Sequence, residues 1–223
     1  EQGERYRRDM QLVLDAMGEA ERRLHPVDHS VQGRVHVQLP SGLGQIILPH
    51  LLGLQRLHPE LQLMSSLDDR LADLVTEGVD VAIRLSSEPP QAHAARVLAR
   101  IEAALFAAPG FQAVHAVSEL ATLPHVRFSG IPLDAPLRLI SGEETVEINV
   151  NTVFRANTSE AVLQALASGI GIGGLQRALA ARALQAGTLV PILPDWRLPD
   201  RFLCAVYPDA RFIPQHVRKV VSV

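Results

Sequence analysis

Ser41-Gly42-Leu43-Gly44 joins a segment that reads as a strand to one that reads as a helix. A glycine-rich turn in that place can hold an anion on free backbone N–H groups. It is no P-loop, because the lysine that would reach a phosphate is missing. Ser41 would need a neighbouring base to act as a nucleophile, and no motif supplies one. There is no G-x-S-x-G elbow. Gly169, Gly171 and Gly174 in "GIGIGG" match G-x-G-x-x-G in form only. A helical pattern precedes them, and Ile170 and Ile172 make the segment itself a strand, so no dinucleotide is expected there. The nine histidines form no zinc pattern. His25 and His29 are four apart, but Pro26 between them breaks the helix that would align them. Cys204 lies in an apolar strand and reads as an inert buried thiol. Arg84 follows the apolar run "VDVAI" and would emerge at a strand's carboxyl end. It is either a solvated or salt-bridged arginine or an anion ligand. No catalytic set, metal site or cofactor is spelled out, so the expectation is a non-enzyme.

The elements around these residues alternate. "RVHVQL" places Val35, Val37 and Leu39 on one face, a strand. "IILPHLLGLQRLH" has helical spacing, with Pro49 either kinking it or marking its first turn. "LQLMSSL" (61–67) is a second strand. Asp68 and Asp69 are candidate N-caps for a helix over "RLADLVTE", ended by Gly78. "VDVAIRL" (79–85) is a third strand. This β-α-β-α-β order predicts parallel strands with ligands beyond their carboxyl ends. The turns at Ser41-Gly42, Leu67-Asp68 and Arg84 to Ser86 fit that place.

The second half predicts a long strand or two over 96–109, a strand over 124–130 ending at Phe128-Ser129, and a hairpin around Gly142. A helix follows, capped by Asn157 or Thr158, with Glu160 three after Asn157 as in a capping box. The strand "IGIGG", a helix ended by Gly187, strands "TLVPIL" and "RFLCAVYP", and a final helix "PQHVRKVVSV" complete the order. Two α/β lobes result, with at least two crossings between them if the tail returns.

Residues 4–24 read as a helix, either packed on its own domain or, as the hinge after it favours, paired with a second copy. Tyr6, Met10, Val13, Met17, Ala20 and Leu24 repeat at 4-3-4-3-4, a heptad seam suited to pairing with a second copy. "HPVDHS" reads as a hinge after it.

At 47% hydrophobic the 223 residues can build a sizeable core, mainly aliphatic because aromatics are 4%. A net charge of −3 argues against a nucleic-acid surface on these residues. One cysteine leaves no internal disulfide and fits a reducing compartment, so a cytoplasmic location is expected. No apolar run is long enough to span a membrane, and none is expected as a partner. The chain begins "EQGERYRRDM", without Met, and is expected to be a fragment lacking an N-terminal part.

Together, "VQLPSGLGQIILPHLLGLQRLHPELQL", "TEGVDVAIRLS", "ASGIGIGGL" and "GTLVPILPDW" resemble the LysR-type transcriptional regulators, in order and spacing along essentially the whole chain. "GERYRRDMQLVLDAMGEAERRL" resembles their linker helix. The resemblance implies an α/β, two-lobed, periplasmic-binding-protein-like (type 2) fold with an N-terminal linker helix. Residues 1–29 would be the linker and hinge, 30–106 plus 205–223 the first lobe, and 107–204 the second. It implies a small-molecule effector in the cleft, an organic anion, held by Ser41, Gly42, Leu67, Asp68 and Arg84 from one lobe. Phe128, Ser129, Asn157 and Thr158 would serve from the other. It also implies a homodimer or tetramer that meets DNA only through an N-terminal winged helix-turn-helix absent from these residues. Leu39-Pro40 stands where Ala-Pro is usual, and Gln176 where proline is common. The alternatives are a solute-binding protein of a transport system, which needs an export signal, and an enzyme on a related fold, which needs a catalytic set.

Overall fold

Alternation in the first strand buries Val35, Val37 and Leu39 against one face of a sheet, and the fold grows from that contact. The computed structural model describes residues 10, 13, 14, 16, 17, 31–70, 73–90, 94–209 and 213–222. The first half runs β1 (Gly33–Leu39), α1 (Ser41–Leu57), β2 (Leu61–Leu67), β3 (Val81–Ser86) and β4 (Ala95–Ile101). The second runs β5 (Ala103–Ala107), a 3-10 turn (Val117–Ala121), β6 (Pro124–Phe128), β7 (Leu137–Ser141), β8 (Glu144–Ile148), β9 (Asn151–Ala156) and α2 (Ser159–Ala167). It continues through β10 (Ile172–Gln176), α3 (Arg177–Gln185) and β11 (Val190–Ile192). Strand β12 (Arg201–Val206) and helix α4 (Gln215–Val221) close the chain.

Two five-stranded sheets result, ordered β2-β1-β3-β12-β4 and β11-β5-β10-β6-β9. β1 runs parallel to β2 and β3, while β12 is antiparallel to β3 and β4. In the second sheet β6 is parallel to β9 and β10, and β5 is antiparallel to β10 and β11. Leu51 and Leu54 of α1 and Val217 and Val220 of α4 fill the first core with β1. The tail thus returns to the first sheet. Val162 and Leu166 of α2 and Ala180 of α3 cover one face of the second sheet. Leu120, Leu123 and Leu139 cover the other, where they pack with Leu105, Ile172 and Ile192 of the sheet. Each fully buried aliphatic side chain contributes about 1.5–3 kcal/mol.

The two sheets are joined at Glu102, between β4 and β5, and by residues 193–200, between β11 and β12. All of β5 lies in the second sheet and all of β12 in the first, so by sheet membership the crossings fall a few residues from the 106 and 204 boundaries drawn from sequence. Asp200, in the second crossing, ties that segment to β4: its carboxylate pairs with Arg100 and accepts from Arg197 Nη1 at 3.0 Å. The Leu198 N–H donates to Ala103 O at 3.0 Å.

Three local expectations change. The helix expected over "RLADLVTE" is not formed in the described part of that stretch: 74–78 is turn. Asp73 explains this, because its carboxylate accepts from Val75 N at 3.0 Å and Thr76 Oγ1 at 2.7 Å, a local turn that competes with the helical ladder. Helix α2 is capped by Thr158, whose Oγ1 accepts from Ala161 N at 3.3 Å, so Glu160 is not at the capping-box position. Helix α1 starts at Ser41 and passes through Pro49, which lies on its exposed face and neither starts nor ends it. Of the N-terminal seam, Met10, Val13 and Met17 are helical and exposed. Tyr6, Ala20, Leu24 and the "HPVDHS" hinge lie outside the described residues.

Candidate functional site between the two sheets

The first turn of α1 is the centre of the site. Pro40 is its N-cap and has no side-chain acceptor, and the first turn carries no acid. The exposed N–H end is served from the end of β2 instead. Ser41 N–H donates to Asp69 Oδ1 at 3.1 Å, and the Ser41 hydroxyl donates to the other carboxylate oxygen. An internal carboxylate thus sits where sequence reasoning placed an effector anion, and it complements the helix dipole there. Asp68 is paired locally: its carboxylate accepts from Arg70 N and pairs with the Arg70 guanidinium at 2.6 Å, which lowers the Asp68 pKa. Leu67 ends β2 with its side chain exposed.

Gly42 turns toward the other lobe. A methyl group there would lie 2.8 Å from Leu179 Cδ1 and 2.8 Å from Ser159 Cβ. One turn on, Gln45 Nε2 donates to Glu160 Oε1 at 3.0 Å. The N-terminus of α1 therefore meets the N-terminal turns of α2 and α3 across the gap between the sheets. Gly44 serves a different approach: a Cβ would be 2.9 Å from Leu39 Cβ and 3.3 Å from Leu67 Cγ, so it lets α1 pack on the strand ends.

Arg84 lies within β3, not beyond it, because the strand continues to Ser86 and pairs Arg84 with Cys204. Its Nη2 donates to Oε1 of buried Gln38 at 3.3 Å, and burial lowers its pKa. Cys204 is buried, and burial pushes its thiol up, away from thiolate chemistry.

From the second sheet, Phe128 ends β6, and Ser129 N–H donates to Ala156 O at 2.7 Å, which brings the ends of β6 and β9 together. Asn157 is exposed and Thr158 caps α2. The structure thus brings Ser41 and Gly42 to the α2 start beside Thr158, while Phe128 and Ser129 stand at the neighbouring strand end. Sequence reasoning missed Asp69 as a partner of Ser41, and it missed Gln38, Gln45 and Glu160. The Asp68-Asp69 pair at a strand end was the one available signal, and it was assigned to a helix cap. Gln176, at the α3 N-cap, has a buried Oε1 with no hydrogen-bond partner among the described residues.

At the opposite end of β6, His125 is buried and its Nε2 lies 3.2 Å from Leu120 O. Burial pushes its pKa down to about 4. The unfolded chain, near 6.5, takes up the proton first as pH falls. His125 therefore costs no stability above about pH 6.5 and removes it progressively from there to about 4, by roughly 3 kcal/mol in total. Urea unfolding should show this slope in the wild type and a flatter one in His125→Gln. Equal slopes would refute it.

Among the described residues no group of three or more His, Cys, Asp or Glu could hold a metal, and no helix is long and apolar enough to cross a membrane. Residues 28–223 match the family described as LysR substrate binding domain. The chain is 32% identical over 215 residues to the HTH-type transcriptional regulator DmlR of Escherichia coli K12, covering 93% of this chain and 69% of that protein. It is 26% identical over 225 residues to an uncharacterized HTH-type transcriptional regulator of the same organism, YhjC, covering 97% and 75%. The regulatory domain of AphB from Vibrio vulnificus superposes with a TM-score of 0.66 at 23% identity, over 86% of this chain and 96% of that one. The full-length Vibrio cholerae virulence activator AphB gives 0.70 at 22% identity, over 100% and 77%. Those likenesses carry the fold, two lobes of the periplasmic-binding-protein kind, and the relatives are regulators, which leaves the transport reading without support. The chain belongs to the LysR substrate-binding domain family and is the effector-sensing part of a LysR-type transcriptional regulator.

Proposed function

We propose that a small organic anion binds in the cleft between the two sheets and competes with Asp69 for the Ser41 hydroxyl and the α1 N-terminus. The observation that carries this reading is the meeting of α1 with α2 and α3 at Gly42, next to a carboxylate-filled helix N-terminus. A ligand carboxylate there would touch both lobes, and its binding would shift the balance between lobe arrangements. Ser41, Gly42, Leu67, Asp68, Arg84, Phe128, Ser129, Asn157 and Thr158 remain the proposed lining, with Asp69, Gln45 and Glu160 added. A thermal-shift screen of small organic acids tests it. At about 100-fold excess over Kd a true ligand adds about 2.7 kcal/mol. If no acid stabilises the chain, or if Ser41→Ala leaves a found ligand's affinity unchanged, the reading fails.

The chain acts as a non-enzymatic sensor in the cytoplasm on this reading. It pairs with a second copy through the seam of Met10, Val13 and Met17, whose apolar side chains are exposed in the single chain. Ile46, Leu52 and Leu57, exposed on α1, offer a second self-association surface, and two surfaces suffice for a tetramer. Val13→Glu should lower the mass seen by light scattering at micromolar concentration without changing the circular dichroism. An unchanged mass would remove the seam from the interface. DNA contact belongs to an N-terminal winged helix-turn-helix, and salt-sensitive, sequence-specific duplex binding by these residues alone would contradict that division.

A further inference from the structure

Arg127 on β6 and Arg155 on β9 are register partners in a parallel strand pair, so their side chains leave the same face of the second sheet. Val126, between His125 and Arg127, packs toward α2. The two arginines therefore project to the opposite face, beside the loop that follows β6. Arg127 is 8% exposed, and among the described residues its guanidinium makes one hydrogen bond, a long one, Nη1 to Leu133 O at 3.4 Å. Arg155 Nη2 donates to Ser129 O and Ile131 O, each at 2.7 Å. All three acceptors are neutral carbonyls of one short loop. Among the described residues no carboxylate pairs with either guanidinium, and Asp134 on the same loop is exposed and makes no ion pair.

A guanidinium stays charged at any ordinary pH and carries five N–H donors. Burying one costs free energy unless an opposite charge offsets it, and a second guanidinium beside it adds repulsion. Burial and the Arg155 charge both lower the Arg127 pKa, in keeping with an uncompensated pair. Two forks of donors held by carbonyls on one side suit an oxyanion taken between them, because carboxylate and phosphate oxygens accept bidentately.

We propose that Arg127 and Arg155 form a second anion site, separate from Ser41, which takes a carboxylate or phosphate group against the 129–133 loop. Occupation would also order that loop, which starts at Phe128-Ser129, so the site is placed to influence the cleft. The test is calorimetric titration and thermal unfolding of the chain with sodium phosphate and with sodium succinate, chloride balancing the ionic strength. At least one of the two should bind saturably, and which one does separates a phosphate source from a carboxylate source. Arg155→Gln should weaken that binding at least about tenfold, a loss expected for removing one partner of a charge-assisted pair. Arg155→Lys should keep part of the affinity, and Ser41→Ala should leave it unchanged. Each variant is compared with its own unfolding midpoint in chloride, so a change in basal stability does not obscure the result. Absence of saturable binding by either anion overturns the proposal. So does equal affinity in Arg155→Gln, or a loss in Ser41→Ala that Arg155→Gln does not share, which would assign the binding to the cleft and leave that reading standing.

Discussion

Gly171→Val is expected to lower the unfolding free energy by roughly 3 kcal/mol, a large share of the stability of an ordinary domain. The reason is backbone, not side chain. A Cβ at Gly171 would lie 2.3 Å from Pro124 O and 2.8 Å from Pro124 C, and one at Gly173 would lie 2.4 Å from Val126 O. Neither carbonyl can move aside without breaking the pairing of β10 with β6, which joins Ile172 to His125 and Gly173 to Val126. Overpacking of this kind typically costs about 1–3 kcal/mol, and a branched side chain against a ladder carbonyl belongs at the top of that range. Gly174 meets only the Leu198 side chain, most closely at Cδ1, a flexible end, so Gly174→Ala should be milder. Gly53→Ala is the control, because its Cβ meets nothing within 4 Å and the position is helical, so a gain of about 0.5–1 kcal/mol is expected. Urea midpoints for the four proteins check the order. A Gly171→Val protein as stable as Gly53→Ala would mean that β10 does not sit as close to β6 as the structure has it.

The same contacts say what "GIGIGG" is for. Its glycines permit a close approach of strand to strand, while Gly169, at φ 75°, makes the turn after α2. The sequence showed that this was no dinucleotide fold, because the helix lay on the wrong side. It could not show the reason for the glycines, since strand order is a long-range property. The strands themselves were legible where one face is buried: Val35, Val37 and Leu39 alternate, and "AALFA" is a continuous apolar run buried on both faces. The family resemblance supplied the two lobes and their cleft. What failed to show was local competition and distant pairing. Asp73 diverts a helical pattern into a turn through two hydrogen bonds that propensity does not weigh. Asp69 meets Ser41 across 28 residues of chain, and Gln45 meets Glu160 across 115, and no periodicity reports either contact. Arg127 sits in a buried strand position where an apolar residue would satisfy the pattern, yet its burial was invisible until β9 was placed beside it.

Asp69→Ala should tighten binding of an anionic effector by about tenfold while lowering the stability of the unliganded chain by about 1 kcal/mol. The two effects have one cause. In the free chain the Asp69 carboxylate accepts from both the N–H and the hydroxyl of Ser41, so it fills the acceptor position at the start of a 17-residue helix. An incoming carboxylate must first displace it and then endure its charge nearby. Charge-assisted hydrogen bonds are worth about 1.5–3 kcal/mol, and exposure of Asp69 to solvent brings the figure toward the lower end. Removing the side chain abolishes the competition, which is a gain for the ligand, and strips the helix of its cap, which is a loss for the fold. Asp69→Asn separates the parts: its amide oxygen can still accept from Ser41 N–H, so stability should be largely kept, while the lost charge should recover part of the affinity. Ser41→Ala should weaken the ligand and blunt the Asp69→Ala gain, because both carboxylates use the same hydroxyl, and the double variant should therefore be non-additive. Calorimetry on the four proteins with an acid from the screen gives the cycle. If Asp69→Ala binds that acid no better than wild type, or more weakly, Asp69 is a structural cap and the effector's charged group lies elsewhere in the cleft.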